Sequence, residues 1–424
     1  MDVAKQTIFL DSKPRYQILD GLRGVAALMV VFFHCFETYK PVFGTQIINH
    51  GYLGVDFFFV LSGFVIGYAY DDRWDKMTTW GFFKRRIVRL HPMLIAGTVI
   101  GACLFFFGAS DGLNTIAECS GWKFALVFVM GLLMIPTGPG LDIRGFSETH
   151  TFTGPAWTLM YEYIGNILYA LFLRKLPTIV LAILCACCAF FTLDLTLGFE
   201  AIPLPPSEIV LPDGTISTSI GPHYNVIGGW SLTPDHIYIG FTRLLYPFLC
   251  GLVISRILRK RITPENPSGS PLHAKGGFWW CSLILVAIFS IPMIGGKPGV
   301  PDGLFQAVSI LLIFPLVVLL GAGSVTESPR STRICKFLGD ISYPLYITHY
   351  PLMYIQMAWV AEHPEVPVWM NIVLNVGVVV MAVFIAWACF KLYDAPLRDW
   401  LKDHWLKRPG VTSSPSAAAK PSAT

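Results

Sequence analysis

The sequence predicts an all-α polytopic membrane protein with about ten transmembrane helices, one further short re-entrant or interfacial helix, and both termini in the cytoplasm. Three observations lead there. Of 424 residues, 54% are hydrophobic and 14% charged, a balance that soluble globular chains do not reach. Apolar runs near the roughly 20 residues that cross a bilayer as a helix recur from residue 20 to residue 391 and leave no interval for a soluble catalytic domain. The joins between runs alternate between strongly basic and nearly free of Lys and Arg, as expected of a chain threaded back and forth with its cations held inside.

The expected spans are 20–39, 52–71, 91–109, 155–173, 177–197, 237–257, 277–295, 304–323, 338–361 and 368–391. Residues 1–19 form a polar cytoplasmic segment without a small-residue cleavage pattern, so the first helix is expected to remain uncleaved. The joins at 73–89, 174–175, 256–275, 328–336 and 398–408 are basic and are assigned to the cytoplasm. The run at 122–137 is short and leads into "PTGPGLDIRG"; a full crossing there would break the charge alternation, so it is read as dipping in from the outer side. Residues 198–236 contain no Lys or Arg and are rich in Pro, Gly and aromatics, which predicts an ordered extracytoplasmic loop acting as a lid or facing an acceptor. Residues 20–398 make up the membrane domain, and 399–424 a cytoplasmic tail whose Ser/Ala/Pro-rich end is expected to be disordered. The ten cysteines lie mostly within apolar runs, with "CACC" at 185–188 as the one cluster, and the paired CxxC sets with partner ligands that a metal or redox site would want are not found.

The polar residues inside these spans carry the chemistry. Arg23 and His34 lie eleven positions apart in "GLRGVAALMVVFFHCFE", so they share one helix face about 16 Å apart along the axis. Charges at membrane depth usually face a cavity or a partner; the bland alternative is Arg23 snorkelling to headgroups and His34 bonding a carbonyl. In the second span, Asp56 lies near the outer end and Ser62 near the middle, followed by Gly63 and Gly67 at a spacing that permits close helix packing. Arg86 and Arg89 in "KRRIVRLHP" are three apart and project together, suited to phosphate or simply a basic flank. Glu162 lies about a turn beyond Trp157, in the half of the membrane expected for His34, where it could orient an imidazole. Tyr343 and His349 belong to a polar stripe in "LGDISYPLYITHYPLMY", which either lines an aqueous path or packs around a proline kink.

Taken together, "LDGLRGVAALMVVFFH", "GVDFFFVLSGFVI", "KRRIVRLHP", "PAWTLMYE", "LGDISYPLYITH" and "YDAPLR", in that order over residues 19–398, resemble the acyltransferase-3 family of integral membrane O-acyltransferases. The resemblance implies a cytoplasmic acyl-CoA donor, usually acetyl-CoA, bound as a substrate with no permanent cofactor, and an acceptor hydroxyl on an exported glycan or small molecule beyond the bilayer. It makes Arg23 and His34 the family's essential pair, Arg86 and Arg89 its cytoplasmic arginines and Glu162 its motif carboxylate. Thr158 stands where Ser is usual and Asp394 where Glu is commoner. The fused extracytoplasmic hydrolase-like domain of some members is expected to be absent.

The expected mechanism places the donor's phosphates on Arg23, Arg86 and Arg89, with the pantetheine arm reaching toward His34 as general base and Glu162 orienting it. Asp56, Ser62, Tyr343 and His349 are candidate channel-lining residues. The implied location is the inner (plasma) membrane, with no nucleic-acid partner. The competing class is a transporter or flippase, which would use intramembrane Arg, His and Glu for a proton relay; a non-catalytic receptor or assembly subunit is a third.

Overall fold

The computed structural model describes residues 13, 15–37, 48–108, 118–202, 207–210, 216–219, 223–296 and 298–406. The expected disordered end of the tail, most of the N-terminal segment and parts of the 198–236 loop lie outside the described residues. The membrane-protein fold class holds: among the described residues the elements are helices, apart from one antiparallel hairpin, β1 (Ser207–Val210) with β2 (Ile216–Ser219), inside the long loop. Among the described residues, seven helices are long and apolar enough to cross a bilayer.

At the centre lie α1 (Gln17–Glu37), α2 (Gly54–Tyr70) and α7 (Pro234–Lys260). The second span is 72% buried within the protein, whereas the last long helix, beginning with α13 (Val368–Ala388), is 11% buried and turns its apolar side chains outward. Without water to drive helices together, packing inside a bilayer depends on close backbone approach at small residues. The α2–α7 contact shows this: a Cβ on Gly63 would collide with the Phe248 carbonyl oxygen, and one on Gly251 with that of Val60. Gly67 likewise faces α7, where a Cβ would stand 2.8 Å from Leu252, so both glycines of the spacing read from sequence are spent on packing.

α3 (Thr79–Gly108) begins well before the apolar run, so the basic "KRRIVR" is helical and Arg86 and Arg89 sit within a 30-residue helix. α4 (Gly121–Leu132) has twelve residues, about 18 Å of helix against a hydrocarbon core of about 30 Å. In the irregular chain that follows, Ile143 and Phe152 pack against Phe105, Phe124 and Phe128 and residues 148–155 are buried, the kind of protein cover that irregular backbone needs at membrane depth. α5 (Ala156–Leu171) and α6 (Thr178–Leu197) precede the hairpin; α8 (Gly277–Ser290), α9 (Val300–Val308) and α10 (Phe314–Gly323) follow α7.

The run read as one span at 338–361 is two helices, α11 (Pro329–Thr348) and α12 (Tyr350–Glu362), meeting at His349. α11 starts early because Ser328 and Ser331 form a capping box ahead of the apolar stretch. The break follows from Pro351, which has no N–H to give the carbonyl of Ile347. The Thr153 hydroxyl takes that carbonyl instead, at 2.7 Å.

Candidate functional site

Two chambers lie between α1, α2, α3, α5, α11 and α12. The first, about 100 Å³, is lined by Arg23, Ser62, Arg86, Arg89, Glu162, Ser342 and Tyr343 at the end that carries the basic joins. Arg23 Nη2 donates to Asp20 at 2.9 Å and its Nε to Ser342 Oγ at 3.0 Å. Arg86 Nη2 donates to Glu162 Oε1 at 2.5 Å, and Ser62 Oγ to the same oxygen at 3.2 Å. Arg89 is exposed on the wall and has no carboxylate within ion-pairing distance among the described residues. Tyr343 Oη donates to the Leu90 carbonyl at 2.5 Å. Three guanidinium groups thus face this chamber against one lining carboxylate, a surplus suited to a phosphorylated ligand.

The second chamber, about 460 Å³, is lined by His34, Glu37, Glu148, Arg243 and a set of aromatic rings including Trp157, Trp230 and Tyr350. His34 Nδ1 lies 2.8 Å from Glu37 Oε2, one turn on along α1. The imidazole packs on Tyr350, ring centroids 4.7 Å apart, and stacks on His349 at 5.6 Å. His349 is fully buried, its Nδ1 donating to the carbonyls of Leu345 and Tyr346, so it supports His34 from behind. In the loop before α5, the Tyr354 hydroxyl donates to Glu148 Oε2. Burial pushes the Glu148 carboxyl up to about 8, against the pull of that hydrogen bond and of Arg144.

Val55 and Tyr346 belong to the walls of both chambers and lie between them. The Tyr346 ring packs edge-on against Phe58, and its hydroxyl lies 3.0 Å from Thr158 Oγ1. Thr158, the departure from the usual Ser, keeps a hydroxyl at this position.

Several sequence expectations change. Glu162 does not meet His34: it sits in the cationic chamber, held by Arg86 and Ser62, and the carboxylate beside His34 is Glu37. Asp56 lines neither chamber. It is fully buried and paired to Arg243 at 2.8 Å, and removing one partner of such a pair costs about 3–5 kcal/mol. Ser62 and Tyr343 do line a chamber. Arg23, Arg86 and Arg89 gather in one chamber, with His34 in the other. Glu37, Glu148 and Arg243 were missed. Glu37 had a legible signal, three positions after His34; Arg243 announced itself only as a lone cation in an apolar run, and Glu148 lay outside every span.

Residues 16–391 match the acyltransferase domain of that same family. The chain belongs to the acyltransferase-3 family. It is 36% identical, over 37% of its length and 81% of the relative's, to protein 2 in the picA locus of Rhizobium radiobacter. It is 30% identical to the acyltransferase MdmB of Streptomyces mycarofaciens, over 79% of this chain and 78% of that one. It is 23% identical to the putative peptidoglycan O-acetyltransferase YrhL of Bacillus subtilis, over 90% of this chain but 54% of YrhL, so it spans about half of that relative. No solved structure matches the chain. As an acyltransferase-3 protein with long apolar helices, it is a multi-pass membrane enzyme of a family with O-acetyltransferase members.

Proposed function

We propose that this acyltransferase moves an acyl group, acetyl, from cytoplasmic acyl-CoA to a hydroxyl of an exported glycan or related acceptor, working in the inner (plasma) membrane with both termini inside. The observation that carries the reading is the pair of adjacent chambers, one cationic and one bearing an imidazole, that share Val55 and Tyr346 as a wall. Donor phosphates rest on Arg23, Arg86 and Arg89 at the cytoplasmic end. The pantetheine arm passes Tyr346 and presents its thioester to the second chamber.

There Glu37 accepts from His34 Nδ1, which leaves Nε2 as the basic nitrogen. Nε2 takes the proton of the acceptor hydroxyl as its oxygen attacks the thioester carbon. The C–O bond forms, the C–S bond breaks, and the imidazolium returns its proton to the departing thiolate, giving an ester and CoA-SH. Glu37 holds the tautomer and steadies the transient positive ring. The test is purified protein in nanodiscs with acetyl-CoA and a cell-envelope extract. Acceptor-dependent release of CoA, lost in His34→Ala, is expected; release that persists in His34→Ala overturns the base assignment, and lipid or glycan flipping without acyl-CoA overturns the enzymatic reading.

A further inference from the structure

We infer that the acceptor is a hydroxylated ring carrying a basic amine, and that Glu148 is the counter-ion of its ammonium group. This rests on reading the second chamber as the acceptor site.

The chamber presents two carboxylates, Glu37 and Glu148, and one guanidinium, Arg243. Arg243 is already committed. Its Nε and Nη2 donate to Asp56 at 3.3 and 2.8 Å, Nη2 also to the Tyr52 carbonyl at 2.6 Å, and Nη1 to that of Gly228 at 3.4 Å, which uses four of the five N–H groups of a guanidinium. Little is left for an anionic ligand. Glu37 serves His34.

Glu148 is different. It receives the Tyr354 hydroxyl on Oε2, and no Lys or Arg stands within ion-pairing distance of it among the described residues. Gly154 keeps the space before the other oxygen clear, since a Cβ there would stand 2.8 Å from Oε1. The charged and titratable groups around it are Arg144 and Asp142 of its own loop, Glu37 of α1, and Tyr350 and Tyr354 of α12. Arg144, the one cation, is held over the rings of Tyr354 and Phe105 at 3.9 and 4.6 Å, with its Nε on the Thr151 carbonyl.

A buried carboxyl without an ion-pair partner, raised to about 8 by burial against the pull of Arg144, becomes a carboxylate when an ammonium arrives. Phe146, Trp157, Trp230 and Tyr350 line the same chamber, and aromatic faces around a carboxylate are the usual surroundings of a bound organic cation. The two chambers then select opposite charges, phosphate at one end and ammonium at the other.

The experiment offers the nanodisc protein acetyl-CoA with methyl glucosaminide or methyl N-acetylglucosaminide, and counts alkali-labile acetyl groups. The amine is expected to be favoured by about tenfold in kcat/KM. That ratio should fall toward one in Glu148→Gln, stay partly intact in Glu148→Asp, and shrink at about pH 6, where the carboxyl holds its proton more firmly. Equal or better transfer to the N-acetylated sugar, a ratio unmoved by Glu148→Gln, or transfer to neither sugar overturns the inference and leaves the enzymatic reading standing. Failure to consume acetyl-CoA even with envelope extract sinks both.

Discussion

At the scale of single residues, the proposed function assigns His34 and Glu37 one role and Arg89 another. Glu37 touches the imidazole and nothing in the cationic chamber, so Glu37→Gln should lower kcat by about a hundredfold or more while leaving the KM for acetyl-CoA near its original value. Glu162→Gln should not reproduce that loss, because Glu162 bonds Arg86 and Ser62. Arg89 is exposed and has no carboxylate partner to strand among the described residues, so Arg89→Gln tests the donor site without unfolding the protein. Removing one charge-assisted hydrogen bond to the donor should raise the KM for acetyl-CoA about tenfold with little change in kcat. Steady-state kinetics on the three variants separates these roles. Arg23 and His34 were legible because one helix carries both and its period places them on one face. Partners across the fold were not: Glu162 meets residues 76 and 100 positions away, and no periodicity reports such distances.

At the scale of elements, the junction of α11 and α12 does most to shape the site. Pro351 breaks the helix, His349 stacks against His34, and Tyr346, one turn earlier, stands between the chambers. Tyr346→Phe keeps the ring and gives up only the hydrogen bond with Thr158, a change worth about fivefold or less in rate. Tyr346→Ala removes the ring and opens the thioester to water, so acetyl-CoA hydrolysis without acceptor should rise above wild type; free CoA measured without acceptor checks both. The apolar runs were legible here, and the break was not located, since Pro344 and Pro351 offered two places for it. Pro344 lies inside α11, which continues through it. Likewise α3 and α11 start earlier than their apolar stretches, because helix continues into a basic flank wherever a cap or good helix formers allow.

At the scale of the whole molecule, the charge alternation of the joins predicts how the chain is ordered across the bilayer. Cysteine introduced at Glu265, in the join after α7, and at Glu365, between α12 and α13, should label from opposite faces of sealed vesicles, the first from the cytoplasmic face; a membrane-impermeant maleimide, scored above the native cysteines, decides it. Membrane character and helix order were readable because lipid enforces long apolar runs. The short α4 and the irregular chain after it were harder to read, because α4 is too short to cross the bilayer alone and the part of the following chain that is buried packs on protein. The wall shared at Val55 and Tyr346 has one more consequence. Two hydrated vestibules meeting end to end would short-circuit an energised membrane, draining its ion gradients through the enzyme. On the proposed reading, the phenol ring of Tyr346 beside Val55 would let a slender tether slide through and deny small hydrated ions a path, so acyl transfer to the outside would not discharge the membrane.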